Sequence, residues 1–234
     1  MVMLGYYKNG LYLFKENPPI IIMTILLAAC NLFCPYFLLL SYDMHQQTTL
    51  GVILSLLVWF ILFLTFSFVC AAVAGITERF LLKEPTTLKT TGEIGKKYLS
   101  KVMLVFVVFI LFWFILMNIL GVISSIILNF LYVNPDIVKE GYVQLFGSWI
   151  VGLFFIFVVP AIVIGQNTAI HAIKESVNLV WNNKIKAVIL AFSLLTLYLV
   201  PFIPTIGDIV YIIPPFICVY FLIVITLVYL DLTE

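Results

Sequence analysis

The sequence predicts an all-α membrane protein, a helical bundle that crosses the bilayer six times. Its 234 residues are 64% hydrophobic and 10% charged, whereas ordinary soluble domains are about 25% charged. The mean hydropathy is +1.22. Six long apolar stretches follow one another along the chain, and nearly all basic residues fall on one side of them. A soluble core could not hide this much apolar surface, so lipid is the expected solvent.

The six apolar stretches are the predicted membrane-spanning helices. They cover residues 18–42, 49–77, 102–131, 149–170, 187–207 and 209–230. Each is about long enough to cross a hydrocarbon core of ~30 Å. Lys8 and Lys15 precede the first stretch, which is too long for the apolar region of a signal peptide. We therefore expect Pro18 to begin the first span.

The basic residues between the stretches predict the orientation. If both termini lie in the cytoplasm, the outer loops contain only Lys139. The inner segments then contain Lys8, Lys15, Arg79, Lys83, Lys89, Lys96, Lys97, Lys101, Lys174, Lys184 and Lys186. Lys and Arg near the ends of spans favour the cytoplasmic side. The sequence thus predicts a multi-pass protein of the cytoplasmic membrane, with its N and C termini inside.

Three short polar or amphipathic segments share a similar layout, which predicts an internal repeat. These segments cover residues 5–17, 86–101 and 168–184. Each precedes a pair of apolar stretches, at a spacing of about 82 residues. The whole chain is then one transmembrane domain whose candidate repeat units are 1–82, 83–165 and 166–234. Two spans per unit would make the repeats parallel, and chance similarity between apolar sequences is the alternative.

The third of these segments is the clearest amphipathic helix. Its apolar face contains Ile170, Ile173, Val177, Val180 and Trp181. Its polar face contains His171, Lys174, Glu175, Asn178 and Asn182. Such a helix is expected to lie in the membrane interface with its apolar stripe toward lipid. His171 and Glu175, four residues apart, are expected to form an ordinary surface pair facing solvent.

Residues able to carry chemistry are scarce inside the stretches. None of the stretches has Lys, Arg, Asp or Glu at its centre, and the chain has no phosphate-binding loop, serine-hydrolase or zinc-protease motif. Because intramembrane enzymes and ion-coupled transporters need ionisable groups at depth, the sequence predicts no enzymatic activity. We accordingly predict no catalytic residue, no cofactor and no metal site.

The polar groups and prolines within the stretches leave two interpretations open. Asn31, Asn118 and Asn129 are expected to hydrogen-bond to neighbouring helices, which needs no functional explanation. Together with Pro160 they are also the candidates for lining a cavity. Prolines break or kink helices, and broken helices can line a substrate path. Without buried charge, kinks that improve packing are the favoured interpretation.

Charge and amphipathicity predict where the protein acts. The candidate residues for contact with anionic lipid at the inner leaflet are Lys96, Lys97, Lys101, Lys174, Lys184 and Lys186. Net charge is +1, which indicates no nucleic-acid partner. The predicted function is a non-catalytic, accessory or scaffolding role, with membrane lipids and another membrane protein as partners.

Two other functions remain open. The repeats and the proline-broken helices suggest a transporter or permease-like component for a neutral or lipidic substrate, which predicts a polar cavity between the repeats. An intramembrane enzyme is the least favoured function. It would require Asp43, His45, Asp136 or Asp208 from the outer loops to converge.

Residues 159–184 resemble a pattern in a broad group of poorly characterised prokaryotic six-span membrane proteins. The resemblance is carried by Pro160, Ala169, Ala172, Lys174 and Ser176, and residues 15–18 and 226–232 are also similar to that group. The group includes the membrane domain attached to some glycerophosphodiester phosphodiesterases. The resemblance implies a six-span fold with an amphipathic helix before the fifth span. The soluble phosphodiesterase domain has no counterpart here, so the resemblance implies no enzymatic residue.

Overall fold

The protein is mostly helical in the part that its structure, a computed structural model, describes: residues 2–30, 49–130, 140–199 and 213–233. No strand occurs in these ranges, which confirms the predicted all-α fold class. The helices are α1 Val2–Glu16, α2 Pro18–Cys30, α3 Thr49–Leu81, α4 Leu88–Phe130, α5 Glu140–Phe155, α6 Val158–Val163, α7 Ala169–Asn182, α8 Lys184–Leu199 and α9 Ile213–Thr233.

Several of these helices have the dimensions of membrane spans. Those long and apolar enough to cross a membrane are Gly51–Leu81 in α3, Leu88–Ile123 in α4 and Pro214–Thr233 in α9. Helices α1 and α2 meet at a bend of 88° and count as a fourth crossing if the pair is one broken span. A shorter apolar helical stretch, Trp149–Val163, is made of the end of α5 and of α6. The described residues thus confirm a bundle of apolar helices, and the six crossings and three repeats remain predictions.

The second amphipathic segment, residues 86–101, is not a separate helix. Helix α4 contains both this segment and the apolar stretch that follows it, without a break. The hydroxyl oxygen of Thr87 accepts the Thr90 N–H at 3.2 Å and caps the start of the helix. Within α4, a Cβ atom on Gly95 would lie 2.6 Å from the ring of Phe68 on α3. Gly95 therefore allows two helices to approach closely and does not interrupt α4.

Successive long helices run in opposite directions. At one end of α2 the amide nitrogen of Asn17 donates to the Thr86 hydroxyl at 3.5 Å, just beyond the end of α3. At its other end the thiol of Cys30 lies 3.9 Å from the hydroxyl of Thr65. The short connection 82–87 makes α3 and α4 antiparallel, and α4 packs against α5 in the same manner. The chain therefore passes back and forth through the bundle, as neighbouring spans must.

The core lies toward the end of the bundle at which α3 ends. The fully packed segments are residues 69–77 of α3, 158–163 of α6 and 221–229 of α9. The α3 segment is rich in alanine, and small side chains let apolar helices pack closely in lipid. Large apolar side chains on the first half of α3 and along α4, such as Trp59 and Phe114, are exposed. Those surfaces have the character of lipid-facing ones.

Candidate functional site

Helix α7 has three different faces, whereas the sequence indicated two. Its buried face consists of small residues with one larger one: Ala169, Ala172, Ser176 and Val180. Of the predicted apolar stripe, Val180 is buried and Ile173 half-buried, whereas Ile170 and Trp181 are 69% and 65% exposed. Only part of the predicted stripe therefore attaches α7 to the protein. The rest of the buried face consists of small residues, which allow α7 to pack closely against α5 and α6.

The exposed apolar stripe of α7 continues into the start of α8. Ile170, Val177 and Trp181 lie on one side of α7, and Ile185 follows them at 78% exposure. Lys184 stands beside this stripe, with its Nζ 4.4 Å from the centroid of the Trp181 ring. Exposed aliphatic and indole groups next to a lysine are typical of a helix in the membrane interface. We call residues 170, 177, 181 and 185 the α7 stripe.

Ser176 connects α7 to the break between α5 and α6. Pro160 has no N–H to donate and its ring crowds the carbonyl four residues earlier, so the helix breaks at residues 156–157. The Ser176 hydroxyl donates to the Phe154 carbonyl at 2.7 Å. It also accepts the Phe157 N–H at 3.1 Å. One buried side chain thus satisfies two backbone groups that the break leaves free. Ser176 thus joins α7 to the break before Pro160, and a packing role for this kink stays a prediction.

A polar cluster holds the connection between α6 and α7. Glu175 accepts hydrogen bonds from the Asn167 amide and, at 2.6 Å, from the Tyr229 hydroxyl of α9. Lys101 of α4 donates to the Asn167 carbonyl at 3.3 Å. Glu175 is therefore directed toward the protein, and the expectation that it pairs with His171 at the surface is wrong. This cluster joins α4, α7 and α9 at one end of the bundle.

Gly165 lies in the same connection, and its lack of a side chain is required there. A Cβ atom on Gly165 would lie 2.8 Å from the Tyr229 hydroxyl oxygen and 2.7 Å from the Ala161 carbonyl oxygen. The next residue, Gln166, has a φ of 52°, in the left-handed region that few side chains favour. The chain therefore turns sharply between α6 and α7, which brings Asn167 to Glu175.

We expect removal of the Glu175 carboxylate to loosen α7. Glu175→Ala leaves the Tyr229 hydroxyl and the Asn167 amide without their acceptor, and hydrogen bonds to a charged group contribute about 1.5–3 kcal/mol. In a double-mutant cycle with Tyr229→Phe, monitored by thermal unfolding in detergent, the two changes should be non-additive by about 1 kcal/mol. His171→Ala, on the exposed face of the same helix, is the control. Additivity of the two changes would contradict the contact.

The six lysines predicted to contact lipid divide into two groups. Lys96, Lys97, Lys174 and Lys184 are exposed. Lys101 donates to the Asn167 carbonyl, and Lys186 forms an ion pair with Asp231 at 2.8 Å. Four of the six are therefore free to meet lipid headgroups, and two are engaged within the protein. All six lysines lie at the same end of the bundle as the polar cluster. We call this end of the bundle the basic end.

The ion pair of Lys186 joins three helices. Its ammonium lies 2.8 Å from the Asp231 carboxylate at the end of α9 and 5.9 Å from the centroid of the Tyr6 ring on α1. The hydrogen bond with Asp231 raises the pKa of Lys186 above its ordinary value. The ion pair therefore lies where α1, α8 and α9 come together at the basic end.

The residues proposed to line a cavity are not gathered at one place among the described residues. Asn118 is exposed on α4, and its amide donates to the Phe114 carbonyl of the same helix at 2.7 Å, in place of the neighbouring helix that was expected. Pro160 is buried in α6. Asn31 and the side chain of Asn129 lie outside the described part. So do the outer-loop residues that an enzyme would need, Asp43, His45, Asp136 and Asp208.

A charged cleft opens at the basic end between α3, α4 and the α6–α7 connection. Its volume is about 340 Å³. Its polar lining includes Glu78, Arg79, Glu84, Glu93, Lys97 and Gln166. Among these, only Lys97 was a predicted site residue. The sequence feature that could have indicated the cleft is the high density of charged residues over 78–97. Acidic and basic residues occur together there, at the end of α3 and the start of α4. Within the described ranges, no three His, Cys, Asp or Glu side chains assemble as metal ligands.

The described helices, by their length and composition, are those of a helical membrane protein. Comparison of the chain with protein-family models, curated proteins and solved structures finds no match. The resemblance of residues 159–184 to the six-span group therefore remains a prediction.

Proposed function

We propose that this protein crosses the cytoplasmic membrane six times, with both termini in the cytoplasm, and acts there as a non-catalytic accessory or scaffolding protein. Its basic end contacts anionic lipids of the inner leaflet and presents a surface to a partner membrane protein. The observation that carries this proposal is the geometry of α7. One face of that helix is fixed to the core, while the α7 stripe and its neighbouring lysines remain exposed.

Lipid is the medium that best suits the α7 stripe. Contact of the exposed Ile170, Trp181 and Ile185 side chains with water is unfavourable. At the membrane surface their apolar groups can instead enter the acyl boundary. Lys174 lies on the same side of the helix, and Lys184 packs over Trp181. Their long side chains can reach the headgroups while their methylenes stay on the apolar surface. Each lysine near an anionic leaflet contributes about 1 kcal/mol.

Packing at the basic end of the bundle favours this role over a permease. A permease for a neutral or lipidic substrate predicts a polar cavity between the repeats. The described segments 69–77, 158–163 and 221–229 are instead packed against one another. The break at Pro160 also has a structural role, because Ser176 satisfies its free backbone groups. The bridged kink gives one proline-broken helix a structural role, which supports the accessory function over transport.

The lysines beside the α7 stripe should determine the preference for anionic lipid. We expect Lys174→Gln with Lys184→Gln to weaken phosphatidylglycerol binding by about 2 kcal/mol, roughly thirtyfold. Native mass spectrometry of the detergent-purified chain with added lipid gives the affinities. The wild-type preference should shrink at high salt, since exposed charges are screened.

Charge and position are separated by matched variants. Lys174→Arg with Lys184→Arg keeps both charges and should bind like the wild type, as should the polar-face variant Asn178→Ser. Equal affinity of the glutamine and arginine pairs would refute a role for these lysines. Saturable solute flux through proteoliposomes containing the protein would refute the accessory role and support the permease.

A further inference from the structure

The charged cleft at the basic end takes no part in the contact proposed for α7. It lies between α3 and α4, with the connection before α7 on its third side. Its lining contains none of the residues of the α7 stripe. A cleft of about 340 Å³ is within the size range of small-ligand sites. Its charges and its rim indicate what kind of ligand it suits.

The charges in the cleft offer two separate attachments of opposite sign. Arg79 is paired with Glu84, with Nε 3.5 Å from the carboxylate oxygen. Glu78, Glu93 and Lys97 also line the cleft, and none of these three forms an ion pair within the described ranges. Lys97 and Glu93, one helical turn apart on α4, point to the same space. A ligand with one cationic and one anionic group would be complementary to them.

Exposed leucines lie next to the charged lining of the cleft. Leu82 lines the cleft and is 63% exposed, and its neighbour Leu81, at the end of α3, is 48% exposed. These leucines stand at the end of a helix long and apolar enough to cross the membrane. A charged pocket beside exposed leucines suits an amphiphile whose headgroup enters the pocket and whose chains remain outside.

We propose that this cleft binds the headgroup of a zwitterionic phospholipid that carries a phosphate and a primary ammonium, of the phosphoethanolamine type. The phosphate meets Lys97, the ammonium meets Glu93 and Glu78, and the acyl chains pass over Leu82. This inference rests on the inner-leaflet position proposed for the basic end. It adds a discrete site of defined headgroup chemistry to the diffuse anionic contact of α7.

The two charged attachments make different demands on the headgroup. Lys97→Gln removes the phosphate contact, so it should weaken every phospholipid that enters the cleft. Glu93→Gln removes an ammonium contact, so it should weaken phosphatidylethanolamine and leave phosphatidylglycerol unchanged. Loss of one such charge contact corresponds to about tenfold in affinity. Both residues are exposed, so neither replacement should disturb the fold.

The experiment measures lipid affinity by native mass spectrometry on the detergent-purified full chain. Lys89→Gln, an exposed lysine on α4 outside the cleft, is the matched control and should bind like the wild type. We expect the tenfold losses for the two cleft variants and the headgroup selectivity of Glu93→Gln. Equal affinities of wild type, Lys97→Gln and Glu93→Gln for phosphatidylethanolamine would overturn the proposal.

Competition distinguishes a lipid headgroup from other sources of the same chemistry. Soluble phosphoethanolamine carries the charges without the chains, and it should compete only at much higher concentration than the lipid. Equal potency of soluble phosphoethanolamine and the phospholipid would refute the proposal that the ligand is an amphiphile. Spermidine is a purely cationic probe, and spermidine binding that is lost in Glu93→Gln but kept in Lys97→Gln would identify a polyamine site instead.

Failure here is distinct from failure of the proposed function. The double variant Lys174→Gln with Lys184→Gln should weaken phosphatidylglycerol binding. It should leave the cleft's preference for phosphatidylethanolamine intact. If the α7 variants behave as expected and the cleft variants do not, the discrete site is refuted and the interfacial role of α7 stands. The opposite pattern would refute the α7 contact alone.

Discussion

Ser176→Ala should destabilise the protein by about 2–3 kcal/mol, although it removes a single oxygen atom. The hydroxyl is fully buried and serves two backbone groups at the break between α5 and α6. Without it, the Phe157 N–H and the Phe154 carbonyl have no replacement partner in a site closed to water, and unsatisfied backbone groups are expensive there. Thermal unfolding of the detergent-purified protein measures the loss.

Two companions test whether the effect comes from the break itself. Asn178→Ala removes a polar group from the exposed face of the same helix and should change stability by less than about 0.5 kcal/mol. Pro160→Ala would allow a continuous helix and should reduce the penalty of Ser176→Ala in the double variant. A stability loss in Ser176→Ala no larger than that in Asn178→Ala would contradict the bridging role.

Gly75→Leu should destabilise the packing of α3 against α4 by about 3 kcal/mol or more. A Cβ atom at Gly75 would lie 2.5 Å from Cγ2 of Ile94 and 3.2 Å from Cγ1 of Val163. Both neighbours are branched at Cβ and cannot easily move aside. The helices would have to separate at the point where the bundle is most tightly packed. Thermal unfolding again measures the change, and retention by size-exclusion chromatography reports any loss of the folded state.

The same substitution at Gly92 is the control. A Cβ atom at Gly92 would meet nothing within 4 Å. Gly92→Leu should therefore raise stability by about 0.5–1 kcal/mol, because leucine favours a helix over glycine. Equal effects at the two positions would show that helix propensity, and not close packing at Gly75, decides the outcome.

Local sequence pattern correctly predicted the positions of two helices, α3 and α7. The stretch 49–77 is close to the observed α3, and the amphipathic segment 168–184 contains α7, whose start is capped by Thr168. Segment 86–101 was helical as well, but its separation from the next span was not predicted correctly. Contact with α3 at Gly95, which sequence periodicity does not show, accompanies the continuous helix.

The candidate site was predictable only in part. Exposure of Lys174 followed from the periodicity of α7. Lys101 and Lys186 had the same apparent role, yet their partners come from distant positions: Asn167 in the first case and Asp231 in the second. The cleft was missed because its residues belong to three segments. None of these segments has a recognisable motif by itself.

The sequence by itself determined that this chain is a helical protein with the composition of a membrane protein. Hydropathy is a local sum, and in lipid a long apolar segment must satisfy its own backbone, which it does as a helix. Only the tertiary structure decided which face of α7 is buried, where Glu175 is directed and how the break at Pro160 is bridged. These outcomes depend on contacts between residues far apart in the chain, and periodicity along one helix does not encode its neighbours.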